Sequence, residues 1–180
     1  MRCVWPFTVL VLLLSSSQAS AQASSAQLSV SLSVQSSISL VFQDNPSAGS
    51  PGFCPLTNSG TNNVGLSLGL ASFTGGATSS CVNYSHIGSA TYEVNTDFDV
   101  VVSKANSSSP NYRLAASLSS APPANVTWLI NNTTLSTVLV TFQTTNAYST
   151  PATETLRVQV KNSVPAQLLQ ETITVLATAN

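Results

Sequence analysis

The chain is almost without charge: five Lys and Arg and six Asp and Glu in 180 residues, 6% of the total against roughly 25% in an ordinary soluble protein. Nucleic acid and anionic lipid are both held through clustered Lys and Arg, so both are excluded as main partners. Titratable and metal-binding residues are equally sparse. There is one histidine, His86, and three cysteines, and the local clusters that catalysis leaves are nearly absent. No apolar run reaches the roughly 20 residues that span a bilayer. The longest, Val4 to Leu14, is broken by Pro6, so membrane insertion is not expected.

That run reads instead as the core of a secretory signal peptide. Arg2 supplies a positive start, Val9 to Leu14 the apolar stretch, and Ala19-Ser20-Ala21 or Ala21-Gln22-Ala23 a small-residue cleavage site. Residues 1–23 are expected to leave, and 24–180 to form a single exported domain of about 160 residues, enough for a proper core. The expected location is secreted: extracellular, cell surface or periplasmic. Cys3 departs with the signal, and Cys54 and Cys81 then meet an oxidising compartment. They are expected to form one disulfide, worth roughly 3 kcal/mol in the chain-entropy model.

Alternation dominates what remains. Leu28, Val30, Leu32, Val34, Ile38, Leu40 and Phe42 all fall on even positions, with Ser or Gln mostly between them. A two-residue period gives a strand one apolar and one hydroxyl-rich face. The pattern returns at Val64 to Leu70, Phe98 to Val102, Tyr112 to Leu118, Val126 to Ile130, Val138 to Phe142, Leu156 to Val160 and Ile173 to Ala177. Turn residues separate these segments: Asp44-Asn45-Pro46, Thr74-Gly75-Gly76, Ala121-Pro122-Pro123 and Asn131-Asn132 among them. The predicted fold is all-β, an immunoglobulin-like antiparallel β-sandwich of about eight or nine strands; a closed barrel fits less well. Fully extended, Leu28 to Phe42 would run about 50 Å, too long for one strand, so a bend is expected near Ser36-Ser37. The segment reads either as a strand crossing between sheets or as an arm, Leu28 to Val34, that adds to a neighbouring subunit.

The C-terminal sequence TETLRVQVKNSVPAQLLQETITVLATAN, Thr153 to Asn180, resembles the closing strand pair of bacterial exported sandwich proteins in the spore-coat-U and fimbrial-subunit-like group. A strand of the Leu156 to Val160 type leads through a Val-Pro-Ala turn into a final strand of alternating Thr and apolar residues. The resemblance implies a building block of a surface coat or appendage. Leu168, Leu169 and Gln170 stand where an aromatic often precedes the last strand in that group.

Candidate chemistry is thin. Gly65-Leu66-Ser67-Leu68-Gly69 matches G-x-S-x-G, but that elbow needs a strand, a sharp turn and a helix, and here the match lies within an alternating run. His86 follows Ser67 with no acid between them, so the hydrolase order of Ser, acid and His is not completed. Cys54, Cys81 and His86 lack the close ligand pairs of a zinc site. Glu93, Asp97 and Asp99 match no calcium loop and read as a solvated strand start. No catalytic residue, cofactor or metal is expected, and the protein is not expected to be an enzyme. Five N-x-S/T matches, at Asn83, Asn106, Asn125, Asn131 and Asn132, are acceptors only in a eukaryotic secretory route.

The expected function is a structural subunit assembling through strand pairing. Its bet residues are Leu28, Val30, Leu32 and Val34 as the assembly strand and Cys54 with Cys81 as the staple; the partners are further copies or other surface proteins. The alternative is a monomeric secreted carbohydrate- or protein-binding adhesin, with Tyr84, Tyr92 and Tyr148 in loops as ligand contacts.

Overall fold

In the structure, a computed structural model, Ser29 and residues 31–33, 35–46 and 53–180 are described. The chain divides into two units, 1–33 and 34–180. The described residues of the first, Ser29 and 31–33, carry no regular secondary structure, and the expected signal peptide lies outside the described residues.

Thirteen strands and no helix occur among the described residues: β1 Ser37–Gln43, β2 Leu56–Thr57, β3 Gly65–Leu66, β4 Ala71–Ser72, β5 Gly76–Ala77, β6 Asn83–Ile87, β7 Thr91–Ala105, β8 Asn111–Leu118, β9 Val126–Ile130, β10 Thr133–Thr134, β11 Val140–Ala147, β12 Ala152–Lys161 and β13 Ile173–Ala179. Eight have five residues or more, within the range that the alternation predicts. All pairings are antiparallel. A six-stranded sheet has the order β1-β7-β12-β9-β10, with β6 also on β7; a three-stranded sheet has the order β11-β8-β13. The two form a β-sandwich.

The fifteen residues of β7 organise the larger sheet. β12 pairs with Thr91 to Val100 along one edge, while β6 and β1 share the other edge, at Thr91 to Asn95 and Asp99 to Ala105. Even-numbered side chains of β7 and β12 face inward. Phe98, Val100, Val102, Leu156, Val158 and Val160 meet Trp128 and Ile130 of β9, and Tyr112, Leu114, Ala116 and Leu118 of β8 cover them from the smaller sheet. Full burial of a side chain such as Leu114 contributes roughly 2 kcal/mol.

The local structure departs from the alternation in three places. Only Gly65 and Leu66 of the expected Val64 to Leu70 strand pair. Gly69 turns the chain with φ of +74°, and a Cβ there would stand 2.9 Å from that of Ser79, so neither the angle nor the space admits a side chain. Val138 lies outside β11, exposed, its N–H donating to the Ser136 hydroxyl at 3.2 Å. Tyr84 and Tyr92 stand in β6 and β7, not in loops, because Gly88 with φ of +67° closes a tight hairpin between them. Tyr148 does lie in a turn.

Candidate functional site: an open cleft between two strand edges

Among the described residues the sandwich is not closed on one side: β1 pairs only with β7, apart from a bridge between Phe42 and Thr61, and β13 pairs only with β8. The free edges of both strands border one cleft of about 780 Å³, lined by Ile38 to Phe42, Gly60 to Asn63 and Thr172 to Val175. An edge strand presents unpaired N–H and C=O groups that can pair with another chain. Beside it opens a second cleft of about 570 Å³ that shares Phe42, Asn62, Asn63, Thr172, Ile173 and Val175 with the first. Its lining includes Phe98, Trp128, Ile130 and Leu156 from the core, together with Leu66 of β3 and Leu68 and Leu169 from loops. The two form one groove of mixed polar and apolar lining, with backbone edges along part of its length.

The segment 53–82 forms one wall. Cys54 and Cys81 are joined by a disulfide, and Cys54, 1% exposed, packs with Val82 and Val94 while its N–H donates to the Thr96 hydroxyl at 2.8 Å. Leu56 N–H donates to Asp44 Oδ1 at 2.7 Å, and Gly60 and Thr61 hydrogen-bond the backbone of Phe42. Within the segment only the two-residue pairs β2–β3 and β4–β5 are regular. The opposite wall depends on Glu171. Its Oε1 accepts from the N–H and hydroxyl of Ser119 and from the N–H groups of Ser120 and Thr172, and its Oε2 accepts from the Ser120 hydroxyl. Burial works to raise this carboxyl, but the hydrogen bonds from Ser119, Ser120 and Thr172 outweigh it and hold it below the usual carboxylate range.

The sequence-predicted residues are dispersed. Leu28, Val30 and Val34 of the assembly strand lie outside the described residues; Leu32 is exposed and in no strand. Tyr84 and Tyr92 stack at 5.6 Å between centroids, whereas Tyr148 stands apart against Tyr112, with the Lys104 ammonium over its ring. The Tyr84 hydroxyl lies at 2.9 Å from the Ser72 carbonyl and 3.0 Å from that of Phe73, and His86 stacks on the Phe73 ring. These polar atoms are occupied by the fold. Ser67 is exposed, and no helix follows it.

The acidic residues are occupied as well. On the outer face of the larger sheet, Asp97 accepts from the Thr155 hydroxyl at 2.6 Å and Asp99 from that of Thr153 at 2.7 Å. Glu93, only 4% exposed, accepts from Arg157, Gln159 and Asn95, each at 3.0 Å. Glu154 faces the opposite way, into the core. It is fully buried, its Oε2 accepts from Asn131, and its Oε1 and the hydroxyls of Tyr112 and Tyr148 meet no hydrogen-bond partner among the described residues. Burial pushes this carboxyl up to about 7, against the lowering effect of Asn131 and with a further push from the Asp99 charge. All six acids of the chain thus accept a hydrogen bond from the fold itself.

The cleft itself was missed by sequence reasoning, since a free edge is a fact of topology. Glu154 carried a signal: it shares the even positions of Leu156, Val158 and Val160, which places an acid on the buried face of a strand. No helix among the described residues is long and apolar enough to cross a membrane, and they hold no group of three or more His, Cys, Asp or Glu side chains placed to share a metal ion. No protein-family model matches the chain, and no curated protein matches it in sequence.

Proposed function

We propose that the protein is a non-enzymatic, exported structural subunit of a bacterial surface coat, layer or appendage, and that its copies join by strand pairing. The observation that carries this reading is the groove: among the described residues, two strand edges without a partner strand border a cleft that reaches core residues. The occupant is the arm Leu28 to Val34 of a second copy. Its seven residues alternate apolar and polar and extend to about 23 Å, matching the seven residues of β1. Main-chain hydrogen bonds to an edge supply affinity, and alternate side chains entering the groove supply register. The resemblance of Thr153 to Asn180 to the spore-coat-U and fimbrial-subunit-like group supports the same reading, as do the disulfide and the low charge of an exported, hydroxyl-rich surface. A glycan-binding adhesin has less support, because the hydroxyl of Tyr84 and the ring nitrogen of His86 are hydrogen-bonded within the fold.

Light scattering on the mature chain tests this, comparing it with a chain lacking the residues up to Val34. The expected result is polymer from the full chain and a folded monomer from the truncated one. A full chain that stays monomeric, or a truncated chain that polymerises equally, overturns the reading.

A further inference from the structure

The groove's wall is contributed by residues that lie between the two bridged cysteines. Gly60 to Asn63 line the first cleft and Leu66 and Leu68 the second, while the disulfide joins Cys54 to Cys81, 27 positions apart. This stretch has little regular structure to sustain itself. Its described backbone pairing consists of β2–β3, β4–β5, the bond between Thr78 and Leu70, and the bridge of Gly60 and Thr61 to Phe42. The core of the sandwich differs in degree. Its large strands pair with one another over long registers, and most of its central side chains come from β7, β8, β9 and β12, whereas the stretch between the cysteines adds the buried Leu56 and, packed against the core, the partly buried Val64, Leu66 and Leu68. The wall therefore rests on the sandwich through Leu56, the bridge to Phe42 and the contacts of Tyr84 and His86 with Ser72 and Phe73, and one covalent bond closes the loop that carries it.

We infer that the Cys54–Cys81 bond decides whether the groove exists: the dithiol chain folds its sandwich without a formed wall, and pairing between copies waits for oxidation. This rests on the strand-pairing reading and adds a condition to it. The physical reason is that a flexible loop of this length loses its closure constraint on reduction, and regions with few buried apolar contacts open locally before the core does. Chemically, the two thiols exchange with a disulfide-bearing oxidant of the exported compartment. Cys54 and Cys81 together give up two electrons and two protons, the new sulfur–sulfur bond forms, and the oxidant leaves as two thiols. A chain still reduced before export would be kept from joining its neighbours prematurely.

The test uses the full mature chain with both cysteines as they are, the same chain reduced and then reoxidised, and the double variant Cys54→Ala, Cys81→Ala. Polymer formation is read by light scattering, and local order by hydrogen exchange along the chain. The expected outcome is polymer from the oxidised chain, loss of polymer in the reduced chain and the variant, and recovery on reoxidation. In the variant, exchange protection should be lost across residues 60–69 and kept in β7, β8 and β12. If the variant polymerises as the oxidised chain does, the inference is overturned while strand pairing stands. If protection collapses throughout the variant, the bond is a general staple, and the inference is again overturned. If the oxidised chain itself forms no polymer, the strand-pairing reading fails and this inference with it.

Discussion

Asn131 holds Glu154 from within the two-residue turn between β9 and β10: its Nδ2 donates to Glu154 Oε2 at 2.6 Å, and its Oδ1 accepts from the N–H of Thr155 at 2.9 Å. One side chain thus pins both the backbone of β12 and the buried acid beside it. Asn131 has φ of +55°, a conformation that asparagine tolerates better than most residues, so the turn and the pin are set by one residue choice.

The first prediction concerns pH. The folded chain holds Glu154 up to about 7 by burial, above the usual carboxylate range of the unfolded chain. Between those values the unfolded state binds fewer protons, so stability falls as pH rises through the window and is greatest on its acid side. The loss amounts to roughly 3 kcal/mol once Glu154 is ionised. Urea unfolding at pH 5 and pH 8 measures it; Glu154→Gln should remove most of the difference, and a variant that keeps it would refute the assignment.

Glu171 acts in the opposite direction. Its carboxyl lies low because Ser119, Ser120 and Thr172 donate to it despite burial, so its contribution is present above the usual carboxylate range and lost as pH falls through its lowered pKa. Glu171→Gln should weaken the acid dependence of exchange protection in residues 166–172. Hydrogen exchange in a series of buffers below pH 5 reads this directly.

Glu93 is the centre of a network on the outer face, where Arg157, Gln159 and Asn95 all donate to it. Removal leaves these donors without their acceptor in a largely covered site. Glu93→Ala should cost about 2 kcal/mol or more, and Glu93→Gln less, because one oxygen still accepts. Urea midpoints with unchanged slopes would confirm that the effect is on stability alone.

The arm should show parity. If Leu28, Val30, Leu32 and Val34 enter the groove of a neighbour, Leu32→Asp places a charge in a cleft that reaches core residues, whereas Ser31→Asp points it outward. Polymer yield by light scattering should drop for the first substitution and change little for the second. Equal effects would mean that the arm does not bind as a strand.

Four strands were legible because each places apolar residues at every second position between turn signals. β8, β9, β12 and β13 fall where Tyr112 to Leu118, Val126 to Ile130, Leu156 to Val160 and Ile173 to Ala177 place them. The pairing of Cys54 with Cys81 was legible as arithmetic, there being two cysteines beyond the expected signal. β6 was not, since His86 and Ser85 break the apolar pattern and the strand is specified by its hairpin with β7. Val138 misled because an apolar residue at the right parity can still sit in a loop when a serine side chain claims its backbone. The cleft was invisible from local pattern, as edges depend on which strands meet across the whole fold.

With only five Lys and Arg and six Asp and Glu residues in the chain, a net charge of −1 and Glu93 paired with Arg157, there is little charge to attract or repel at a distance. Added electrolyte acts by screening such charge, so contacts made by this surface have almost nothing for ions to weaken. A layer built from these molecules would cohere nearly as well in brine as in rainwater.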